Sequence, residues 1–149
     1  MNRLLPQPID NAYRGHPVGL WIFGLVVCLK LAVAVSSIVD GRGAAVGADG
    51  VALDSFSPAG ADAFLTLLAI VGYAHVVILS LCLLVLVRYR ALVPLMYVVV
   101  LVEHLGRKTI LTLMPIAKVG AMTSAIVNPL LVALMLAGLV LSLWNREKP

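Results

Sequence analysis

Four long apolar stretches dominate this 149-residue chain and leave little else it could fold into. They run from about Pro17 to Val39, from about Ala61 to Val87, from about Ala91 to Met114 and from about Met122 to Trp144. Each is long enough to cross a hydrocarbon core of about 30 Å at a helical rise of about 1.5 Å per residue. The composition is 62% hydrophobic and 12% charged, with a mean hydropathy of +1.06. Soluble domains run near 45–50% apolar and about 25% charged. A bilayer accommodates the surplus Leu, Val and Ala, because lipid-facing side chains are apolar around the whole bundle. The expected fold is an all-α transmembrane four-helix bundle forming a single membrane domain, residues 1–149, in contact with lipid.

Local signals place the boundaries. Pro17 suits the first position of a helix, and Asp40-Gly41 reads as the turn that closes it. Ser57 is a candidate N-cap followed by Pro58, so the second helix starts early. Arg88-Tyr89-Arg90 breaks spans two and three, and Pro115 stops the third. Asn128-Pro129 reads as a kink within the fourth span. Ala32-Val33-Ala34 faintly resembles a cleavage site, but Lys30 interrupts the run and a long tail precedes it, so the first span is expected to stay. Residues 40–60, rich in Gly, Ala and Asp, read as a flexible external loop with an Asp49-Gly50 turn; Asp40, Asp49 and Asp54 lack the ligand order of a calcium loop.

The net charge of +4 and pI near 9.4 do not indicate nucleic acid, because the basic residues flank apolar runs instead of forming a patch interleaved with aromatics. Arg3, Arg14, Arg88, Arg90, Arg146 and Lys148 gather at one side of the layout, against Arg42 and Lys118 in the opposite loops. The positive-inside rule then places both termini in the cytoplasm, with Trp21 and Trp144 in the aromatic belt on that side. Cys28 and Cys82 sit inside apolar runs as free thiols, with no metal or disulfide spacing.

Ionisable groups recur inside the spans. Insertion scales charge about 2.5–3.5 kcal/mol for each at the bilayer centre, which makes such residues functional candidates. Lys30 and His75 fall roughly 20 Å from the cytoplasmic ends of their helices, and Glu103 and His104 roughly 18–20 Å from theirs. Arg107 and Lys108 follow one turn further out, roughly 24–26 Å in, with Asn128 of span four at a similar height. On span three, Glu103 neighbours Arg107 and His104 neighbours Lys108; with Tyr97 they share one polar arc of roughly 140°, opposite Val98, Val102 and Leu113. That arc is expected to face the bundle interior. Gly72 and Cys82 share the His75 face, Ser37 the Lys30 face, and Ala133, Ala137, Gly138 and Ser142 give span four a small-residue surface for close packing.

Three readings of this layer stay open. It is a purely structural network in which Glu103 neutralises Lys30 or Arg107 while Arg107 and Lys108 snorkel. Or it is a proton or small-solute site in a transport or accessory protein, with Glu103 and His75 exchanging protons and Lys30, Arg107 and Lys108 tuning them or holding an anion. Or His75 and His104 are axial ligands of a b-type haem, Arg107 and Lys108 meeting its propionates, or carbonyl partners of a quinone. No Gly-rich phosphate loop, HExxH or GxSxG motif points to a soluble-type enzyme.

Two stretches carry a resemblance: Arg88-Tyr89-Arg90-Ala91-Leu92-Val93-Pro94-Leu95-Met96 and Glu103-His104-Leu105-Gly106-Arg107-Lys108. With the four-span layout, short termini and longer first external loop, they resemble small uncharacterised bacterial inner-membrane proteins, DoxX-like in layout. The resemblance implies a multi-pass protein of a bacterial-type inner membrane, alone, as a homo-oligomer or in a larger membrane complex, and implies no activity.

Overall fold

The computed structural model describes residues 4, 6, 9–119 and 122–144. Arg3, Arg146 and Lys148, part of the charge count above, lie outside the described residues. Four long helices carry the chain: α1 (Pro17–Val39), α2 (Pro58–Arg88), α3 (Val93–Leu113) and α4 (Met122–Leu143). Among the described residues there is no strand, only an isolated bridge between Val51 and Lys118.

The helices begin and end for local reasons. Pro17 and Pro58 sit in the first turns of α1 and α2, where a missing N–H costs nothing. Val18 N–H donates to His16 Nδ1 (3.3 Å) and Gly60 N–H to Ser57 Oγ (3.2 Å), so both N-termini are capped. The carboxylate of Asp40, at the end of α1, accepts from Gly43 N–H at 2.9 Å. The Arg88-Tyr89-Arg90 break is a single tight turn, Arg90–Leu92, that leads directly into α3. Pro129 lies within α4, which continues through it.

Three helical stretches are long and apolar enough to cross a membrane: Pro17–Val39, Pro58–Arg88 and Ala125–Leu143. They mark the chain as a membrane protein. α3 differs for a plain reason. Its 21 residues include Glu103, Arg107 and Lys108 close together, so no long window of it is nearly free of charge. Outward-facing apolar side chains run over all four helices: Trp21, Tyr73, Val102 and Ile126 are 80%, 66%, 63% and 69% exposed. Soluble monomers rarely show apolar surface on that scale, and lipid is its natural partner.

α1 packs between α2 and α4, and α3 lies across from it, seated on α4 and touching α2. The bundle is asymmetric along its length. Near the chain termini it is solid: Phe23, Val27, Leu79, Val85, Val93 and Met135 are buried together, and Phe23 meets Tyr97 edge-on with ring centroids 4.9 Å apart. The Tyr97 hydroxyl donates to Gly19 O at 2.7 Å, tying α3 to α1 across the bundle. A Cβ on Gly138 of α4 would overlap that Tyr97 ring, so this close approach requires glycine. Of the small-residue surface expected on α4, Gly138 and Ser142 face inward while Ala133 and Ala137 face out. Before α1 the chain folds back over this end. His16 N–H donates to Leu141 O at 2.9 Å, and burial of Tyr13 pushes its phenol up to about 12.

The segment between α1 and α2 corrects the expectation of a flexible loop. It is a chain of tight turns, Gly41–Gly43, Ala44–Ala48 and Leu53–Ser55, closed by Gly50 at φ 66°, a left-handed conformation suited to glycine. Ala45, Val51 and Leu53 are buried in a small second core with Phe56, Phe64 and Ile116 partly buried against it. The α3–α4 connection is stitched to it: Ala52 N–H donates to Ala117 O (3.1 Å) and Val119 N–H to Gly50 O (2.7 Å).

α1 and α2 approach closely at Gly72, where an added Cβ would stand 2.9 Å from Ala34 O. Gly72→Ala should therefore cost about 1–3 kcal/mol, seen as a lower unfolding midpoint in detergent. Gly106, on α3, has nothing within 4 Å of such a Cβ. Gly106→Ala should leave that midpoint unchanged or raise it, by up to about 1 kcal/mol from helix propensity.

Candidate functional site

Where the solid half of the bundle ends, three helices each present one ionisable side chain. α1 supplies Lys30, α2 supplies His75 and α3 supplies Glu103. Lys30 Nζ donates to Glu103 Oε2 at 2.8 Å, and His75 Nε2 lies 2.5 Å from Glu103 Oε1. The three side chains are 9%, 17% and 18% exposed for Lys30, His75 and Glu103 respectively. One carboxylate thus uses one oxygen for the ammonium and the other for the imidazole.

The second nitrogen of His75 decides where the protons are. His75 Nδ1 lies 2.9 Å from Val71 O, a carbonyl that only accepts, so Nδ1 donates there in the state in which it carries a hydrogen. A neutral ring protonated at Nδ1 would turn the lone pair of Nε2 onto a carboxylate lone pair, which is repulsive. In that state the short contact is made through one further proton, held on Nε2 or on Glu103. Moving it from one to the other leaves the charge of the group unchanged. Lys30 faces this proton from α1; α4 contributes no ionisable side chain among its described residues.

Beyond this group, toward the loop end, the bundle is hollow. A cavity of about 280 Å³ is bounded by Lys30, Ser37, Gly72, His75, His104 and Arg107, with Asn128 on α4 and Asp49 from the folded loop. A second cavity of about 380 Å³ is bounded by His104, Arg107, Lys108, Thr112, Lys118 and Asn128. His104, Arg107 and Asn128 border both. His104 is 3% exposed, and its Nδ1 has no hydrogen-bond partner.

The layer expected from sequence therefore divides. Lys30, His75 and Glu103 bond directly; His104, Arg107 and Asn128 line the adjoining space; Lys108 borders only the second cavity. Tyr97 borders neither and is committed to Gly19 in the packed half. An axial haem pair from His75 and His104 would require His75 to release Glu103, because both its ring nitrogens are engaged. Among the described residues no three His, Cys, Asp or Glu side chains group to hold a metal ion. Asp49 and Lys118 also border the cavities, outside the polar layer of the spans. They arrive through backbone pairing between two loops distant in sequence, and no local pattern signals that.

No protein-family model matches the chain, and neither the curated proteins nor the solved structures compared with it give a match.

Breaking the group unevenly should be costly. Glu103→Ala leaves the buried Lys30 ammonium without an acceptor and should destabilise the protein by about 3–5 kcal/mol. Glu103→Gln retains a carbonyl for Lys30 and an N–H for His75 and should cost much less. The double variant Lys30→Met with Glu103→Ala should recover most of the loss. Unfolding midpoints of the purified variants in one detergent check all three.

Proposed function

We propose that this chain is a proton-handling, four-span protein of a bacterial-type inner membrane, acting in small-solute transport or as an accessory to it, with both termini cytoplasmic. One observation carries the reading: Glu103 and His75 are in hydrogen-bond contact, and His75 borders a cavity. A general proton relay needs two groups of comparable basicity in contact, and access from at least one side. Lys30 keeps the carboxylate from being an isolated buried charge.

In this reading α3 is the fourth span. Its polar arc turns inward to Lys30, His75 and the cavities, while Val102, Ile110 and Leu113 meet lipid. The orientation follows from Arg14, Arg88 and Arg90 at the packed end. The cavities then open toward the external loop, and the packed half separates the proton pair from the cytoplasm until the helices rearrange. Glu103 and His75 exchange the proton, Lys30 fixes the position of Glu103, and His104, Arg107, Lys108 and Asn128 line the approach. Tyr97 is a clamp between α1 and α3.

Proteoliposomes loaded with a pH-sensitive dye test this. An imposed membrane potential or solute gradient should drive acidification above protein-free vesicles, and Glu103→Gln should abolish it while retaining the helical circular-dichroism spectrum. Wild-type flux no greater than that of empty vesicles, or equal flux in Glu103→Gln, would overturn the proposal.

A further inference from the structure

The second cavity has a different character from the proton pair. Three cations border it, Arg107, Lys108 and Lys118, and no carboxylate does. Among the described residues, none of the three forms an ion pair; Asp49 borders the first cavity with Arg107 but pairs with none of them. Like charges gathered in a cleft with apolar walls repel one another and focus positive potential into it. A single snorkelling Lys or Arg would turn away from its neighbours toward water. These three instead come from two separate stretches of chain, and the stretch bearing Lys118 is anchored to the folded loop through Val51 and Gly50.

His104 adds a ring to the cavity wall. The residue is nine-tenths buried or more and borders both cavities, while its Nδ1 is closed off inside the protein. Asn128 adds a neutral amide from α4. The volume, about 380 Å³, is at the low end for ligand sites and suits a small molecule.

We infer that the cavity bounded by His104, Arg107, Lys108, Lys118 and Asn128 is a binding site for a phosphate-class oxyanion. The planar guanidinium of Arg107 offers a two-pronged fork, Lys108 and Lys118 act as point charges, and His104 and Asn128 complete the hydrogen bonding. The group could belong to a free anion or to the headgroup of an anionic lipid; the recognition chemistry is the same. The inference stands apart from the proton reading, because binding is read at equilibrium. A protein that binds phosphate but moves no protons retains this site and loses only the proton reading.

The test is calorimetric titration of inorganic phosphate into the full chain in phosphatidylcholine nanodiscs at low ionic strength. Saturable binding is expected, weakened roughly tenfold by Arg107→Gln and by Lys118→Gln, as loss of one charge-assisted contact implies. Arg107→Lys retains the charge without the fork and should fall between, which keeps the result readable if Arg107→Gln fails to fold. Arg42→Ala is the control: Arg42 faces Asp54 at 3.5 Å, borders neither cavity, and its loss should leave the affinity unchanged. Should phosphate fail to bind while phosphatidylglycerol co-purifies with the wild type and is lost from Arg107→Gln by native mass spectrometry, the site takes the lipid headgroup. Binding of neither, or equal weakening by Arg42→Ala and Arg107→Gln, overturns the inference.

Discussion

Glu103 is held between the Lys30 ammonium and the His75 imidazole, and the rest of the bundle is arranged around that contact. In a low-dielectric interior an unpaired charge is expelled or neutralised, whereas opposite charges in contact attract far more strongly than in water. Every mid-bundle ionisable side chain therefore has to be drawn into one group or reach a wet cavity. Lys30, His75 and Glu103 take the first course, and Arg107 and Lys108 take the second. The same contact fixes the diagonal of the bundle. α1 and α3 are not close neighbours, yet Lys30–Glu103 and Tyr97–Gly19 join them at two levels.

That bond divides the molecule into halves with different work. On the terminal side, Phe23, Leu79, Tyr97 and Met135 fill the interior completely, and Gly138 lets the Tyr97 ring lie against α4. On the loop side, small residues such as Ala34, Ser37 and Gly72 line space instead of filling it. A solid half provides rigidity and a seal; a hollow half provides access. A polar group at their boundary meets packed side chains on one side and a cavity on the other. The Glu103–His75 contact lies at that boundary, and the second cavity lies further toward the loops.

Much of this was legible in the residues, because the physics involved is local. Pro17, Ser57-Pro58 and Pro115 mark helix ends through missing donors and capping oxygens, and α1 spans the stretch its apolar run predicts. A rise of about 1.5 Å per residue was enough to place Lys30, His75 and Glu103 near one level. Gly72 was recognisable as a point of close approach, and Ala34 O is what it approaches. What was not legible depends on non-local pairing. Tyr97 shares the helical face of His104 but sits too near the packed end, so its hydroxyl finds Gly19 instead of the site. The small residues of α4 divide between inside and outside because only Gly138 and Ser142 fall on the seam with its neighbours. The loop after α1 looked flexible from its Gly and Ala content, yet Val51 and Leu53 bury against Ile116 from a distant segment. Lys118 and Asp49 reach the cavities by that same long-range pairing.

The most direct test is a distance across the bundle in a lipid bilayer. Glu103 and Glu147 are the chain's two glutamates, so Glu147→Gln leaves Glu103 as the sole carboxylate labelled by ¹³C-glutamate. Solid-state NMR dipolar recoupling to ¹⁵N-labelled lysine ammonium would then report on Lys30. The account predicts a direct ion-pair contact, with Nζ within about 4 Å of the carboxyl carbon, that disappears in Lys30→Met. A Glu103 carboxyl showing no close lysine nitrogen in the folded, membrane-embedded protein would contradict it.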